Sequence, residues 1–175
     1  MPKPILKDNN LVLLIKDNVK LLKEIDNTIE INFNPKKNDI FLNSDNEQLS
    51  RVFFNLIKNS IESIQEKKQN NVNFKGIIDI DLDINIGYID FVIIDNGVGF
   101  EVFAENIKSI LNPYFTTKKK GTGLGLAIVN KIINDHNGSI TFTSLDKRAK
   151  INIKFLKNEY WNINYWWQCG YKKYY

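Results

Sequence analysis

Residues 76–99 read Gly-Ile-Ile-Asp-Ile-Asp-Leu-Asp-Ile-Asn-Ile-Gly-Tyr-Ile-Asp-Phe-Val-Ile-Ile-Asp-Asn-Gly-Val-Gly. In the first half Ile78, Ile80, Leu82, Ile84 and Ile86 alternate with Asp79, Asp81, Asp83 and Asn85. That period of two predicts a half-buried strand in an antiparallel setting, one face apolar and the other wet. Beyond Gly87 a second strand is expected from Tyr88 to Ile94, apolar on both sides near Phe91–Ile94 and therefore central in its sheet. The aspartate row is not a calcium loop: an EF-hand would need Gly where Ile84 stands and Glu where Asp90 stands. Alternation alone accounts for the spacing.

Upstream, Leu49, Val52, Phe53, Leu56, Ile57, Ser60, Ile61 and Ile64 recur at three- and four-residue steps. They predict a long amphipathic helix from about Asp45 to Glu66, opened by a Ser44-x-x-Glu47 capping box. Two short strands, Thr28–Asn34 and Asp39–Asn43, flank a Pro-Lys-Lys-Asn turn, and a first helix is expected over Asn10–Ile25. Downstream come a short helical stretch around Val102–Leu111, a helix over Leu124–Asp135, and closing strands Ser139–Ser144 and Ala149–Leu156. Helix, two strands, helix, two strands, helix, two strands is not the alternation of a doubly wound sheet. It predicts an α/β sandwich: a mixed sheet of about five strands with three helices on one face.

The bulk composition sets outer limits. At 175 residues, with 43% hydrophobic and 25% charged side chains, the chain suits one ordinary globular domain. The early apolar run Leu11–Ile15 is far short of a membrane span, and the start lacks the marks of a signal peptide. A single cysteine, Cys169, forms no internal disulfide and fits a reducing compartment, so a cytoplasmic location is expected. The charge of +4 is spread over lysines, with Lys118–Lys120 the one tight run, which argues against a nucleic-acid partner.

Three polar clusters are candidates for chemistry. Asp95-Asn-Gly-Val-Gly99 places a carboxylate at a strand end beside two glycines that let a ligand ring approach the backbone; a plain Asn-Gly turn is the alternative. Lys118-Lys-Lys-Gly-Thr-Gly-Leu-Gly-Leu126 runs into a helix and could present free N–H groups to a phosphate; a flexible loop is the alternative. It is neither a P-loop nor a dinucleotide fingerprint. Asn55, Asn59 and Glu62 form a polar stripe on the long helix; amide oxygens suit Mg²⁺, though a solvated helix face gives the same spacing.

Taken in order, Asn55-Leu-Ile-Lys-Asn59, Asp95-Asn-Gly-Val-Gly99, Pro113-Tyr-Phe-Thr-Thr-Lys118 and Gly121-Thr-Gly-Leu-Gly-Leu126 resemble the N, G1, F and G2 boxes of the histidine-kinase ATP-binding domain. The family includes the gyrase and mismatch-repair ATPases, and the resemblance covers roughly residues 28–157. Gln48-Leu-Ser-Arg-Val-Phe and the opening Met1-Pro-Lys-Pro look most like nitrogen-regulation sensor kinases. The resemblance implies a Bergerat-type fold, ATP and Mg²⁺ as cofactors, and phosphoryl transfer in two-component signalling. Asp95 would accept the adenine amino group, with Gly97 and Gly99 against the base. Asn59 would hold Mg²⁺ with Asn55 beside it. Thr116, Thr117 and Lys118 would belong to a mobile lid, and Gly121, Thr122, Gly123, Leu124 and Gly125 would present N–H groups to the phosphates. Where ATP-hydrolysing relatives have a glutamate that activates water, this chain has Asn55, a poor base.

A complete kinase of this kind carries a phosphoacceptor histidine on a helical dimerisation hairpin and signals to a response regulator; both are implied partners. The one histidine here, His136, matches instead the end of the helix after the G2 box, with Gly138 as its stop. Residues 1–27 are therefore expected to be a linker and helix following a hairpin supplied elsewhere, 28–157 the ATP-binding domain, and 158–175 an aromatic-rich tail. A non-catalytic docking fragment of a split or degraded kinase is the alternative function.

Overall fold

The computed structural model describes residues 2–71, 73–100, 110–114, 122–145 and 148–157. The elements run β1 (Lys7–Asn10), α1 (Leu11–Lys23), β2 (Ile29–Pro35), β3 (Phe41–Ser44), α2 (Asn46–Asn70), β4 (Gly76–Asn85), β5 (Tyr88–Asp95), α3 (Gly125–Asp135), β6 (Gly138–Leu145) and β7 (Arg148–Leu156). Five strands form one sheet in the order β2-β4-β5-β7-β6, with β5 in the centre as its two-sided apolar run predicts. β2 lies parallel to β4 and every other pair is antiparallel, so the sheet is mixed.

The register explains why one face is dry. Ile80, Ile93 and Ile151 stand in one row and Leu82, Phe91 and Ile153 in the next, all buried. On the opposite face Asp81, Val92 and Asn152 share a row and are only partly covered. Over the dry rows lie the three helices: α1 against β2, α2 against β4 and β5, α3 against β6, with α2 packed between the other two. Leu49, Val52, Phe53, Leu56, Ile57, Ile61 and Ile64 of α2 are all buried, the face that the three- and four-residue spacing anticipates. Leu11, Val12, Ile15 and Leu22 bring α1 into the same core.

Several details differ from the sequence reading. Ser44 is not the cap of α2. It ends β3 opposite Lys7, where its Oγ donates to the Leu42 carbonyl at 3.1 Å, and Asp45 caps instead by accepting the Gln48 N–H at 3.0 Å. A carboxylate gains more than a hydroxyl from the positive end of the helix. β3 leaves the main sheet to pair with β1, a strand the sequence reading assigns to no element. Ile86 continues the alternation in sequence but is 95% exposed, because β4 ends at Asn85 and Ile86 sits in the turn. The left-handed residue that stops α3 is Asn137, with φ 54°, and not Gly138. Gly138 is glycine for another reason: a Cβ there would lie 2.9 Å from Ile133 Cγ2 and 3.0 Å from the Lys154 carbonyl oxygen. Most of the helical stretch expected around Val102–Leu111 falls outside the described residues, as does the aromatic tail.

The centre of the fold is the contact of α2 with β5. Phe53 and Phe91 are fully buried with ring centroids 4.9 Å apart. Phe53→Ala should remove about 3–5 kcal/mol of stability, read as a lowered urea midpoint with an unchanged denaturant slope.

Candidate functional site

Asp95 is the last residue of β5, and the row Ile78, Asp95, Ala149 turns its side chain to the helix-covered face. A carboxylate on a dry face needs partners. Gly97 donates its N–H to Oδ1 at 3.0 Å, and the Ser60 and Ser63 hydroxyls of α2 hydrogen-bond to the same group. Only 4% of Asp95 is exposed, and burial pushes its carboxyl up to about 6 against the opposing pull of those hydrogen bonds and of Lys67.

The loop after Asp95 is pinned on both sides. Lys67 Nζ donates to the carbonyls of Asn96 at 2.7 Å and Gly97 at 2.9 Å while resting 4.5 Å from the centre of the Phe74 ring. Val98 N–H donates to Ser63 Oγ at 3.0 Å. Asn96 accepts from Ile77 N–H at 2.9 Å and donates to the Lys75 carbonyl at 2.9 Å. Gly97 owes its identity to this clamp: a Cβ would stand 2.2 Å from Ser63 Oγ and 2.7 Å from the Ser63 carbonyl carbon. Its missing side chain makes room for α2, whereas Gly99, at φ 72°, is a glycine by conformation. Ser63 and Lys67 are absent from the candidates read in the sequence. The signal was there, since 60, 63 and 67 continue the helical steps of α2 beyond Asn59 with small or long polar residues.

About two turns nearer the start of α2 lies the second part of the site. Gly125 opens α3, and a Cβ on it would meet only Asn55 Oδ1, at 3.5 Å. Gly125 of the glycine stretch and Asn55 of the asparagine stripe are thus brought together. Asn55 donates to the Arg51 carbonyl at 2.8 Å, and both it and Asn59 are half-buried. Among the described residues no side chain caps α3: Leu124 stands at its N-cap position, the first turn holds no acidic residue, and the Thr122 hydroxyl accepts the Leu124 N–H at 3.4 Å. Such a helix start, with its positive dipole end and N–H groups that no described side chain caps, suits a phosphate. Gly123, at φ 66°, accepts the Tyr114 N–H at 3.0 Å, which joins the two sides of the stretch between them. Thr116, Thr117, Lys118 and Gly121 lie outside the described residues, so the lid read in the sequence does too.

Asp95 touches α2 at Ser60 and Ser63, and Gly125 faces it at Asn55. Along α2 that is about two turns, roughly 10 Å. Among the described residues no three His, Cys, Asp or Glu side chains group to hold a metal. The chemistry of the donors present is amide oxygen, with Glu62 a turn beyond, and this fits Mg²⁺ shared with phosphates and water better than a protein cage. A hollow of about 180 Å³ beside Asp95, lined by Ile77, Asp79, Ile94, Asn96 and Arg148, opens on the opposite, outward side of the sheet and is small for a nucleotide.

His136 has both ring nitrogens committed. Nε2 accepts the Asp45 N–H at 3.0 Å and Nδ1 lies 2.8 Å from the Ile132 carbonyl, which fixes the proton on Nδ1. With 6% exposure it is a structural group, as the sequence implies.

Comparison with known proteins places this geometry. Residues 44–159 match the family described as histidine kinase-, DNA gyrase B- and HSP90-like ATPases. A protein of Rickettsia typhi named as an NtrY-like sensor histidine kinase is 33% identical over 156 residues, covering 89% of this chain and 25% of its own length. The catalytic domain of histidine kinase ThkA superposes with a TM-score of 0.75 at 26% identity, covering 87% of this chain and 97% of that domain. ThkA in complex with the response regulator protein TrrA gives 0.71 at 23% identity over 87% of this chain and 42% of that one. This chain spans about a quarter of the length of these curated NtrY-like relatives.

Two substitutions test the clamp. Gly97→Ala should destabilise by about 1–3 kcal/mol through overpacking, and Ser63→Ala should not rescue it, because the clash with the Ser63 backbone remains. Asp95 has a pKa of about 6 in the folded chain against 3.8 as an ordinary carboxyl. Between those values the folded state holds a proton the unfolded state has lost, so stability falls as pH rises through the window, by about 3 kcal/mol. Asp95→Asn should flatten that slope and make the nucleotide-free domain more stable than the parent at pH 7, measured by urea unfolding from pH 4 to 7.5.

Proposed function

Because the chain belongs to the histidine kinase-, DNA gyrase B- and HSP90-like ATPase family, as the ATP-binding catalytic domain of a sensor histidine kinase, we propose how its residues divide the work. Asp95 accepts the adenine amino group, and the turn into α3, from Gly121 through Gly125, receives the phosphates on its N–H groups. Asn59 holds Mg²⁺, with Asn55 beside it. Thr116, Thr117 and Lys118 close over the nucleotide, Lys118 adding positive charge. The observation that carries this reading is the buried Asp95 carboxyl at one end of a two-turn stretch of α2 whose other end faces a helix start that no described side chain caps. The nucleotide would lie along α2, base towards Ser60 and phosphates towards Asn55.

Such a site works by placement. Adenine brings an N–H donor to a carboxyl that burial has made reluctant to ionise, and the new hydrogen bond favours the ionised form. Mg²⁺, when bound, supplies charge neutralisation on the phosphates. Asn55, with no proton to take or give, leaves water unactivated beside the γ-phosphate, which suits transfer to a histidine over hydrolysis. The acceptor is a histidine on the dimerisation hairpin of a sensor kinase, and a response regulator receives the phosphoryl group next; the complex of ThkA with its regulator protein supports the second partner class. His136 is no acceptor, since neither nitrogen is free to attack. We place the ATP-binding unit at 28–157, with α1 packed against it, and the working compartment in the cytoplasm. No helix among the described residues is long and apolar enough to cross a membrane.

Asp95→Asn should reduce Mg-ATP affinity at least tenfold by calorimetry. In the parent chain, affinity should fall about tenfold per pH unit below pH 6 as Asp95 is protonated, a slope the variant lacks. Undiminished binding by Asp95→Asn would overturn the adenine assignment.

Supplied alone with radiolabelled ATP and Mg²⁺, the chain should gain no acid-labile phosphohistidine. Adding the purified helical hairpin of a related sensor kinase should give weak labelling of the hairpin, weak because the tether's effective concentration is missing. Label on His136 would contradict the assignment of both its nitrogens.

A further inference from the structure

The node at His136 does more than end a helix. α2 and α3 pack against each other, and two proximities near the ends of α3 show that they run antiparallel. At one, the start of α2 donates the Asp45 N–H to His136 Nε2 at the far end of α3. At the other, the start of α3 sets Gly125 against Asn55 of α2. From Asp45 to Asn55, and from Gly125 to His136, each helix runs roughly 15 Å at about 1.5 Å per residue. One end of this seam is thus tied by a hydrogen bond, and the other is a close approach whose distance depends on how α3 is set along α2.

Between those points the contact is apolar. Val129, Ile132 and Ile133 of α3 are buried in the same core as the apolar face of α2. Apolar burial is non-directional, and a helix can shift along such a seam with little change in buried area. A hydrogen bond through a buried ring is directional and short-ranged. The His136 bond is further anchored, because Asp45 is itself held: Oδ1 takes the Gln48 N–H, Oδ2 takes the Ile5 N–H at 2.9 Å, and Gln48 Nε2 donates to the Pro2 carbonyl at 3.3 Å.

We propose that His136 is a positioning residue that fixes the axial register of α3 on α2, and so sets the distance between the phosphate-facing turn at Gly125 and the asparagines at 55 and 59. The proposal rests on the nucleotide assignment above. It carries a consequence that a merely structural histidine would not. Asp95 reaches α2 through Ser60 and Ser63, and none of its partners among the described residues is on α3, so the adenine end of the site should be independent of His136. Loss of register should weaken the grip on phosphates and leave the grip on the base alone.

Two variants separate the two bonds of the ring. His136→Asn retains a donor where Nδ1 meets the Ile132 carbonyl but is too short to reach Asp45. His136→Gln is long enough to offer its oxygen to the Asp45 N–H. Affinities for Mg-ATP and for adenosine are measured by calorimetry on the full chain, below its unfolding temperature. The expected result is at least a tenfold loss of Mg-ATP affinity in His136→Asn with adenosine affinity within twofold of the parent, and recovery to within threefold in His136→Gln. The amide resonances of Gly123 and Gly125, followed by NMR without nucleotide, should shift in the Asn variant and return in the Gln variant. Equal losses for both ligands, or a lowered melting temperature with both affinities unchanged, would overturn the positioning role and leave His136 a stability residue. A parent chain that binds neither ligand would sink the nucleotide assignment instead. Should the Asn variant not fold, resonances of Gly123 and Gly125 unmoved in His136→Phe, which keeps the ring volume and loses both bonds, would also overturn it.

Discussion

The structure hangs on the seam where α2 lies along β4 and β5. Burying Val52, Phe53, Leu56, Ile57, Ile61 and Ile64 against Ile80, Leu82, Phe91 and Ile93 fixes the helix at one height and one rotation over the sheet. The polar flank of the same helix is then fixed as well. Ser60, Ser63 and Lys67 come to rest over the loop that follows β5, and Asn55 comes to rest at the start of α3. A site with contributions from three distant stretches of sequence thus needs one packing decision. Rotation of α2 by a single residue would expose Phe53 and carry Ser63 away from Asp95.

This dependence explains which parts could be read from the sequence. Elements whose burial is periodic were legible: the alternation through Leu82 gave β4, the doubly apolar Phe91–Ile94 gave the central strand, and the spacing of residues 49–64 gave α2. Errors gathered where local chemistry competes for one residue. Ser44 and Asp45 both look like caps, and only the pairing of Ser44 with Lys7 in β3 settles the matter. Asn137 and Gly138 can each stop a helix; the crowding of Gly138 by Ile133 and Lys154 is tertiary and leaves no local trace. β1 is four residues long, too short for a period to speak, and the strand expected over Asp39–Asn43 is present as β3 but pairs with β1 outside the main sheet.

The site was legible by another route, and unevenly. Asp95, Asn55, Asn59 and the glycines of 121–125 stand as candidates because they recur as ordered boxes that resemble a known family. Composition alone left each cluster open to a plain reading. Ser63 and Lys67 were missed because their work is done on backbone carbonyls and amides, which no side-chain motif announces. The two glycines of Asp95-Asn-Gly-Val-Gly99 also part company. Sequence reasoning gave both the same task, yet Gly97 is required by the helix behind it and Gly99 by its own backbone angle. A glycine near a ligand site is not by that fact a glycine for the ligand.

Asp95 shows why the site is built at a cost to the fold. A carboxyl raised to about 6 by burial destabilises the empty domain at neutral pH, and a neutral amide would serve the core better. Ser60, Ser63 and the Gly97 N–H reduce the penalty without cancelling it, since the carboxyl stays well above its ordinary value. The unmet demand is for one more donor, and the amino group of adenine is such a donor. Guanine presents a carbonyl oxygen at the same ring position, which would face a carboxylate with lone pairs opposed. On the proposed assignment, burial of Asp95 would supply both the attraction for adenine and the penalty against guanine, because the apolar seam of α2 keeps water from relieving it.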